Sequence, residues 1–158
     1  MKLQQLFVDQ LMDIYWAEEN LSKLLPKLEE AAGSDELKQA FSSHLQETKN
    51  HLARLEKVFG MIDTPAEGKK CAAIAGIADE GQTIIDGTGD GTAGRDIGLI
   101  FVSRKAEHYE IATYSGLVPL ARTLGYTDAA ETLSVTLAEE QKADGLLTRL
   151  ANTLEPIP

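Results

Sequence analysis

The sequence predicts an all-α protein. Four long segments repeat their apolar residues with a period of 3.6, strand-like alternation is scarce outside them, and two of the joins between them are only a few residues long. With 158 residues, 43% hydrophobic and 25% charged, the chain fits a single domain, residues 1–158, whose core is large enough to fold without disulfides or structural metal.

The first long helix is expected from about Leu3 to Ala32, stopped by Gly33, with Pro26 inside it as a kink or local break. Ser34 then caps a second helix whose first turn carries Asp35 and Glu36, where the helix dipole favours anions. It is expected to stop at Gly60. The short link makes these two an antiparallel hairpin. From Met61 to Gly94 the chain is rich in glycine, and KKCAAIAGIADEGQTII within it has the periodicity of one short helix anchored by Ile74, Ile77 and Ile84. A third long helix is expected from about Asp96 to Leu124. The fourth is expected from a Thr127 cap to about Leu154, after a tight turn at Gly125 and Tyr126. The plan is hairpin, long crossover, hairpin: a four-helix bundle of two antiparallel hairpins with an additional short helix in the crossover. A crossover of this length lets the third long helix start at the same end as the first, the connectivity of ferritin-like bundles.

Bulk chemistry narrows the function classes. The single cysteine, Cys71, rules out an intramolecular disulfide and makes the cytoplasm the default expectation. No apolar run approaches the ~20 residues that span a bilayer, and the N-terminus lacks the pattern of a signal peptide. A net charge of −10 repels nucleic-acid phosphates and anionic lipid, so neither nucleic acid nor membrane is an expected partner; a metal cation is. The stretch DGTGDGTAGRD lacks the ligand spacing and closing Glu of an EF-hand and reads as a flexible loop, while Cys71 beside Ile74 reads as a buried, inert thiol.

The apolar stripes are interrupted. Helix one aligns Phe7, Leu11, Ile14, Glu18, Leu21, Leu25 and Leu28; helix two aligns Phe41, His44, Thr48, His51, Leu55 and Phe59, with Glu47 between the histidines. Helix three aligns Ile100, Ser103, Glu107, Glu110, Tyr114 and Leu117, and helix four Leu133, Leu137, Glu140, Asp144, Leu147 and Leu154. Taken singly, each polar residue has an ordinary explanation. Glu18 can reach solvent beside Glu19, His44 or His51 can be a hydrogen-bonded histidine at the core edge, Glu107 can pair with Arg104, and Glu140 and Asp144 can be solvated. The coincidence is what points to a site: all four long helices break their stripe with a metal-competent side chain. An unpaired buried carboxylate is costly, and carboxylates converging with imidazoles suit Fe, Mn or Zn, several carboxylates together suiting two dications.

Three stretches, LPKLEEAAGSDELKQAFSSHLQETKNHLARLEKVF, CAAIAGIADEG and RKAEHYEIATY, resemble in this order the YciE/YciF-type family of bacterial ferritin-like proteins, and the resemblance covers nearly the whole chain. It implies a rubrerythrin-like bundle with an extra crossover helix, dimerisation and an association with bacterial stress responses. The ferritin-like di-metal pattern takes one Glu from each of two helices and a Glu-x-x-His from each of the others. Glu18 and Glu107 match the single carboxylates. Helix two departs, because Asn50 follows Glu47 at the third position and His51 at the fourth. Helix four departs further, because Glu140 is followed by Ala143 and Asp144 with no histidine.

The sequence therefore predicts a metal site of Fe or Mn, dinuclear or mononuclear, with Glu18, Glu47, His51, Glu107 and Glu140 as ligands and His44, Glu110 and Asp144 in reserve. As an enzyme it is expected to perform redox chemistry on oxygen or peroxide. The rival expectation is a non-catalytic acidic bundle that acts by binding a partner. Met12, Tyr15 and Trp16 lie off the main stripe of helix one, and this second apolar face predicts a homodimer through that helix.

Overall fold

The structure, a computed structural model, describes residues 2–153 and contains five helices and no strand among them. These are α1 (Leu3–Ala31), α2 (Asp35–Met61), α3 (Ala72–Gly87), α4 (Ala93–Thr123) and α5 (Thr127–Thr153). The bundle is closed by packing of α1 on α2, α2 on α5, α5 on α4 and α4 on α1, while α3 lies across α1 and α4. Leu154, the expected end of the last helix, falls outside the described residues.

Boundaries follow local chemistry, with some departures from expectation. α1 continues unbroken through Pro26. The Ser34 hydroxyl accepts the Leu37 N–H at the start of α2, as its type suggests. α2 runs past Gly60, because the left-handed residue that ends it is Asp63 (φ 53°). There the Thr64 N–H donates to the Phe59 carbonyl and the Asp63 N–H to that of Gly60, the pair of bonds that closes a Schellman end. α4 starts three residues earlier than expected, under a Thr92 cap whose hydroxyl accepts the Arg95 N–H.

The direction of α4 corrects the sequence expectation. The Asp96 carboxylate accepts the backbone N–H groups of Gly33 (2.6 Å) and Ser34 (2.9 Å), so α4 starts where α1 ends. At the other end, Tyr126 stacks on Phe7 and accepts a bond from Gln4. α4 is thus antiparallel to α1, and the crossover traverses the full length of the bundle. Gly33 allows a close approach at this junction, since a Cβ there would sit 3.1 Å from Gly91 Cα. The glycine-rich loop is tied down as well: buried Arg95 donates to the Ile85 and Thr88 carbonyls, the Thr88 hydroxyl and Asp90.

The crossover also covers the second apolar face of α1. Lys69 N–H donates to the Met12 carbonyl (2.9 Å), Gly68 lies against Trp16, and Met12, Tyr15 and Trp16 all pack on the core. The observation that suggested a subunit contact there is satisfied within the chain. Cys71 is buried as expected, its sulfur capping α3 and donating to Tyr109, whose hydroxyl donates to Asp13.

Two apolar clusters fill the bundle, one around Phe7, Leu11, Ile14, Phe59 and Leu133 and the other around Leu28, Leu37, Phe41, Leu99 and Leu147. Along the bundle axis they flank a layer of buried Glu18, His44, His51, Glu107, Glu110 and Glu140.

Candidate metal centre

The helical period delivers this layer. Glu18 stands on α1 between Ile14 and Leu21, and α2 places His44 and His51 seven residues apart, two turns along the same face. On α4, Glu107 and Glu110 are three apart and both inward, and α5 contributes Glu140. Each of these carboxylates is at most 3% exposed and His44 is 8% exposed, so none is a solvated surface group.

Their donor atoms converge in two groups, His44 with Glu107, Glu110 and Glu140, and Glu18 with His51 and Glu140, within each of which the atoms lie no more than 4.8 Å apart. Glu140 belongs to both. Its Oε1 lies 2.8 Å from His51 Nδ1 and its Oε2 3.9 Å from His44 Nε2. Glu18 Oε1 is 3.3 Å from the same His51 nitrogen, and Glu107 Oε1 is 3.0 Å from His44 Nε2. Despite these approaches, His51 Nδ1, both oxygens of Glu110 and of Glu140, and one oxygen each of Glu18 and Glu107 lack a directed hydrogen bond. Buried polar atoms packed this closely without directed bonds call for protons or a cation between them.

Each imidazole is held from behind. His51 Nε2 faces Glu139 at 2.9 Å, and Arg54 clamps that carboxylate with two bonds, at 2.5 and 2.9 Å. His44 Nδ1 faces Glu47 at 3.5 Å. A carboxylate on the outer nitrogen fixes the imidazole's orientation and raises its basicity as a ligand. Tyr114, fully buried, donates its hydroxyl to Glu18 at 2.5 Å.

Without a cation the layer retains protons. Burial and the neighbouring Glu140, Glu18 and Glu107 carboxylates push Glu110 well above the usual carboxyl range. Burial, reinforced by Glu107, raises Glu140 to about 8. Burial opposes charge on His51, but Glu140 and Glu18 outweigh it and lift the imidazole to about 10; His44 moves up against burial for the same reason, chiefly through Glu107. Outside the layer, Arg54 holds Glu139 below the ordinary carboxylate value.

The structure brings together six of the eight residues that the sequence nominates: Glu18, His44, His51, Glu107, Glu110 and Glu140. It corrects two. Glu47 is one-third exposed and supports His44 from outside, because the inward position between the histidines belongs to Thr48. Asp144 accepts from Arg104 at 2.9 Å and faces the exposed His108 at 3.3 Å, at the edge of α5. Glu139 was missed; its only trace in the sequence is a carboxylate beside Glu140 and an Arg three residues after His51.

The profile of a family described as a domain of unknown function, DUF892, matches residues 2–155. The chain is 39% identical to Protein YciF of Escherichia coli over 150 residues, 94% of this chain and 90% of that one. The crystal structure of the E. coli stress protein YciF superposes with a TM-score of 0.91 over 96% of this chain and 95% of that one. YcfI from Rhodopseudomonas palustris, 34% identical, also gives 0.91, over 99% and 96% of the two chains. Among the described residues no helix is long and apolar enough to cross a membrane.

Proposed function

The chain belongs to the DUF892 family, and on that premise we propose that it is a ferritin-like metal-binding protein of a bacterial stress response that holds two iron or manganese ions in its core. The observation that supports this reading is the set of orphaned carboxylate and imidazole atoms converging in two groups that share Glu140. Two imidazoles and four carboxylates match the nitrogen and oxygen preference of these metals. In this reading Glu18, His51 and Glu140 would hold one ion and His44, Glu107, Glu110 and Glu140 the other. Bound iron or manganese supplies electron-transfer chemistry toward oxygen or peroxide. The chain's own residues orient and insulate: Tyr114 fixes Glu18, Glu139 and Arg54 fix His51, and Glu47 fixes His44.

A partner-binding bundle with an empty layer is favoured by one observation, that the carboxyl groups of Glu110 and Glu140 are raised enough for protons to replace cations. A homodimer in the cytoplasm belongs to both readings. Leu3 and Leu6 are the large hydrophobics still exposed on α1, and Ile97 and Phe101 form a second exposed pair on α4.

Elemental analysis of protein purified without chelator decides between the readings. Retained iron or manganese that is lost in Glu18→Ala and Glu107→Ala supports the metal site. Protein that neither carries these metals nor reloads with them sinks it. Peroxide consumption by the loaded protein, absent from the chelated form, tests the redox part.

A further inference from the structure

The half of the layer that contains His44 opens onto a cavity of about 340 Å³ between α2 and α5. That volume is at the small end of the ~300–1,000 Å³ typical of small-molecule sites. Its walls are apolar, formed by Leu25, Phe41, Leu146 and Leu147. Buried His44, Glu107 and Ser103 also line it, and a second, smaller cavity between α1 and α4 shares these three residues. Ser103, 5% exposed, has a hydroxyl without a hydrogen-bond partner there.

The cavity follows from a departure in the sequence. Ala143 stands three residues after Glu140, where the ferritin-like pattern has a histidine, and it lines the cavity together with Ala40. Two alanines where α2 faces α5 leave room that an imidazole would fill. The rim carries Lys142 and Arg149, both exposed and neither in an ion pair among the described residues. On a chain of net charge −10, two exposed cations beside an apolar opening favour an anion. The side that carries buried Glu107 disfavours one.

We infer that this cavity binds a small amphipathic anion, with its charged head between Lys142 and Arg149 and its apolar body extending inward so that its far end meets His44 and Glu107. The inference deepens the metal reading and rests on it only for what the far end meets.

Decanoate is the probe, titrated calorimetrically into the full chain, both chelated and manganese-loaded, with decanol and decyltrimethylammonium as controls for the head. Metal content is measured on the same samples. Decanoate is expected to bind both forms and to bind tighter than either control. Ala143→Phe should abolish binding, and Lys142→Glu with Arg149→Glu should weaken it on the order of tenfold, each variant folding by circular dichroism and loading manganese as the parent does. In the manganese-loaded protein, paramagnetic broadening should be stronger at the terminal methyl of decanoate than at the methylene beside its carboxylate. Failure of decanoate to bind a chain that loads manganese overturns the inference and leaves the metal reading standing. Binding that Ala143→Phe abolishes in a chain that loads neither manganese nor iron supports the cavity and overturns the metal reading. Equal binding of decanol, unchanged binding in Ala143→Phe, or stronger broadening beside the carboxylate overturns the inference.

Discussion

The two halves of the carboxylate layer use the same ligand chemistry and differ in what stands behind it. Around His51 the inner groups are sealed: Glu18, His51 and Glu140 have no exposed surface, Tyr114 locks Glu18, and the partly exposed Glu139 is clamped by Arg54. Around His44 the outer carboxylate is Glu47, partly in solvent on a 3.5 Å contact, and the wall is a cavity where α5 offers only Ala143. The difference teaches that access is set by the residues one layer out. On the proposed metal reading, a sealed half would keep its ion and geometry and an open half would admit a small molecule.

Glu140 joins the halves, so removing it is the severest way to break the comparison. Glu140→Gln keeps the shape but takes a charged oxygen from both groups, and elemental analysis is expected to show both ions lost. His51→Ala and His44→Ala should each cost one half selectively. Equal retention of metal by Glu140→Gln and the parent would refute the shared-ligand geometry. Without metal the sign reverses: a carboxyl raised to about 8 by burial and Glu107 is more easily kept neutral as an amide, so chelated Glu140→Gln should melt higher than the chelated parent at pH 9.

Next in size is the response to pH. The folded, metal-free layer holds protons that its members release more readily when unfolded. Glu140 titrates near 8 rather than in the usual carboxyl range, and His51 near 10 rather than about 6.5. Wherever the native state binds more protons, stability falls as pH rises. Chelated protein should therefore lose melting temperature steadily from about pH 5 to pH 10, first through Glu140 and then through His51. A cation competes with those protons, so loaded protein should gain over chelated protein as pH rises from 6 to 8. A gap between loaded and chelated melting curves that is independent of pH would place the metal elsewhere.

The outer carboxylates sharpen the contrast. Replacing a partner behind a ligating histidine typically costs about 10–100-fold in metal affinity. Glu139→Ala should approach that range, because it also strands Arg54 beside the buried imidazole. Glu47→Gln should cost less, since its hydrogen bond is long and solvent competes for it. Competition with a fluorescent chelator measures both, and a larger loss in Glu47→Gln would contradict the sealed-versus-open description.

How much of this was legible depended on each helix's chemistry. On α1 and α2 large apolar residues mark one face, α4 is buried on more than one side, and every residue of those three stripes is buried. α5 is marked weakly, with Leu, Thr and Ala on several sides. The stripe read from the sequence passes through Leu137 and Asp144 in alternating steps of four and three, whereas the buried face takes Thr136 with Leu133, Glu140 and Leu147, so Leu137 and Asp144 fall at its edge. Glu47 and Thr48 lie equally far, on opposite sides, from the midline between His44 and His51, so helical period alone does not choose between them; the structure buries Thr48. The direction of α4 could not be read from crossover length; it is fixed by the Asp96 bonds to Gly33 and Ser34, a contact across more than sixty residues. Glu139 was invisible because its partners are on another helix.

The smallest expected effect tests that correction directly. Asp144 is hydrogen-bonded to Arg104 and faces His108, with Arg104 one-third and His108 more than half exposed. A partly exposed pair of this kind contributes about 0.2–1 kcal/mol, and salt screens it. Asp144→Asn should therefore shift denaturant stability by less than about 1 kcal/mol and leave metal content untouched. The shift should shrink further in high salt. Were Asp144 a ligand, the same substitution would instead strip metal while barely changing the salt dependence, so one variant measured both ways separates an edge residue of α5 from a member of the buried layer.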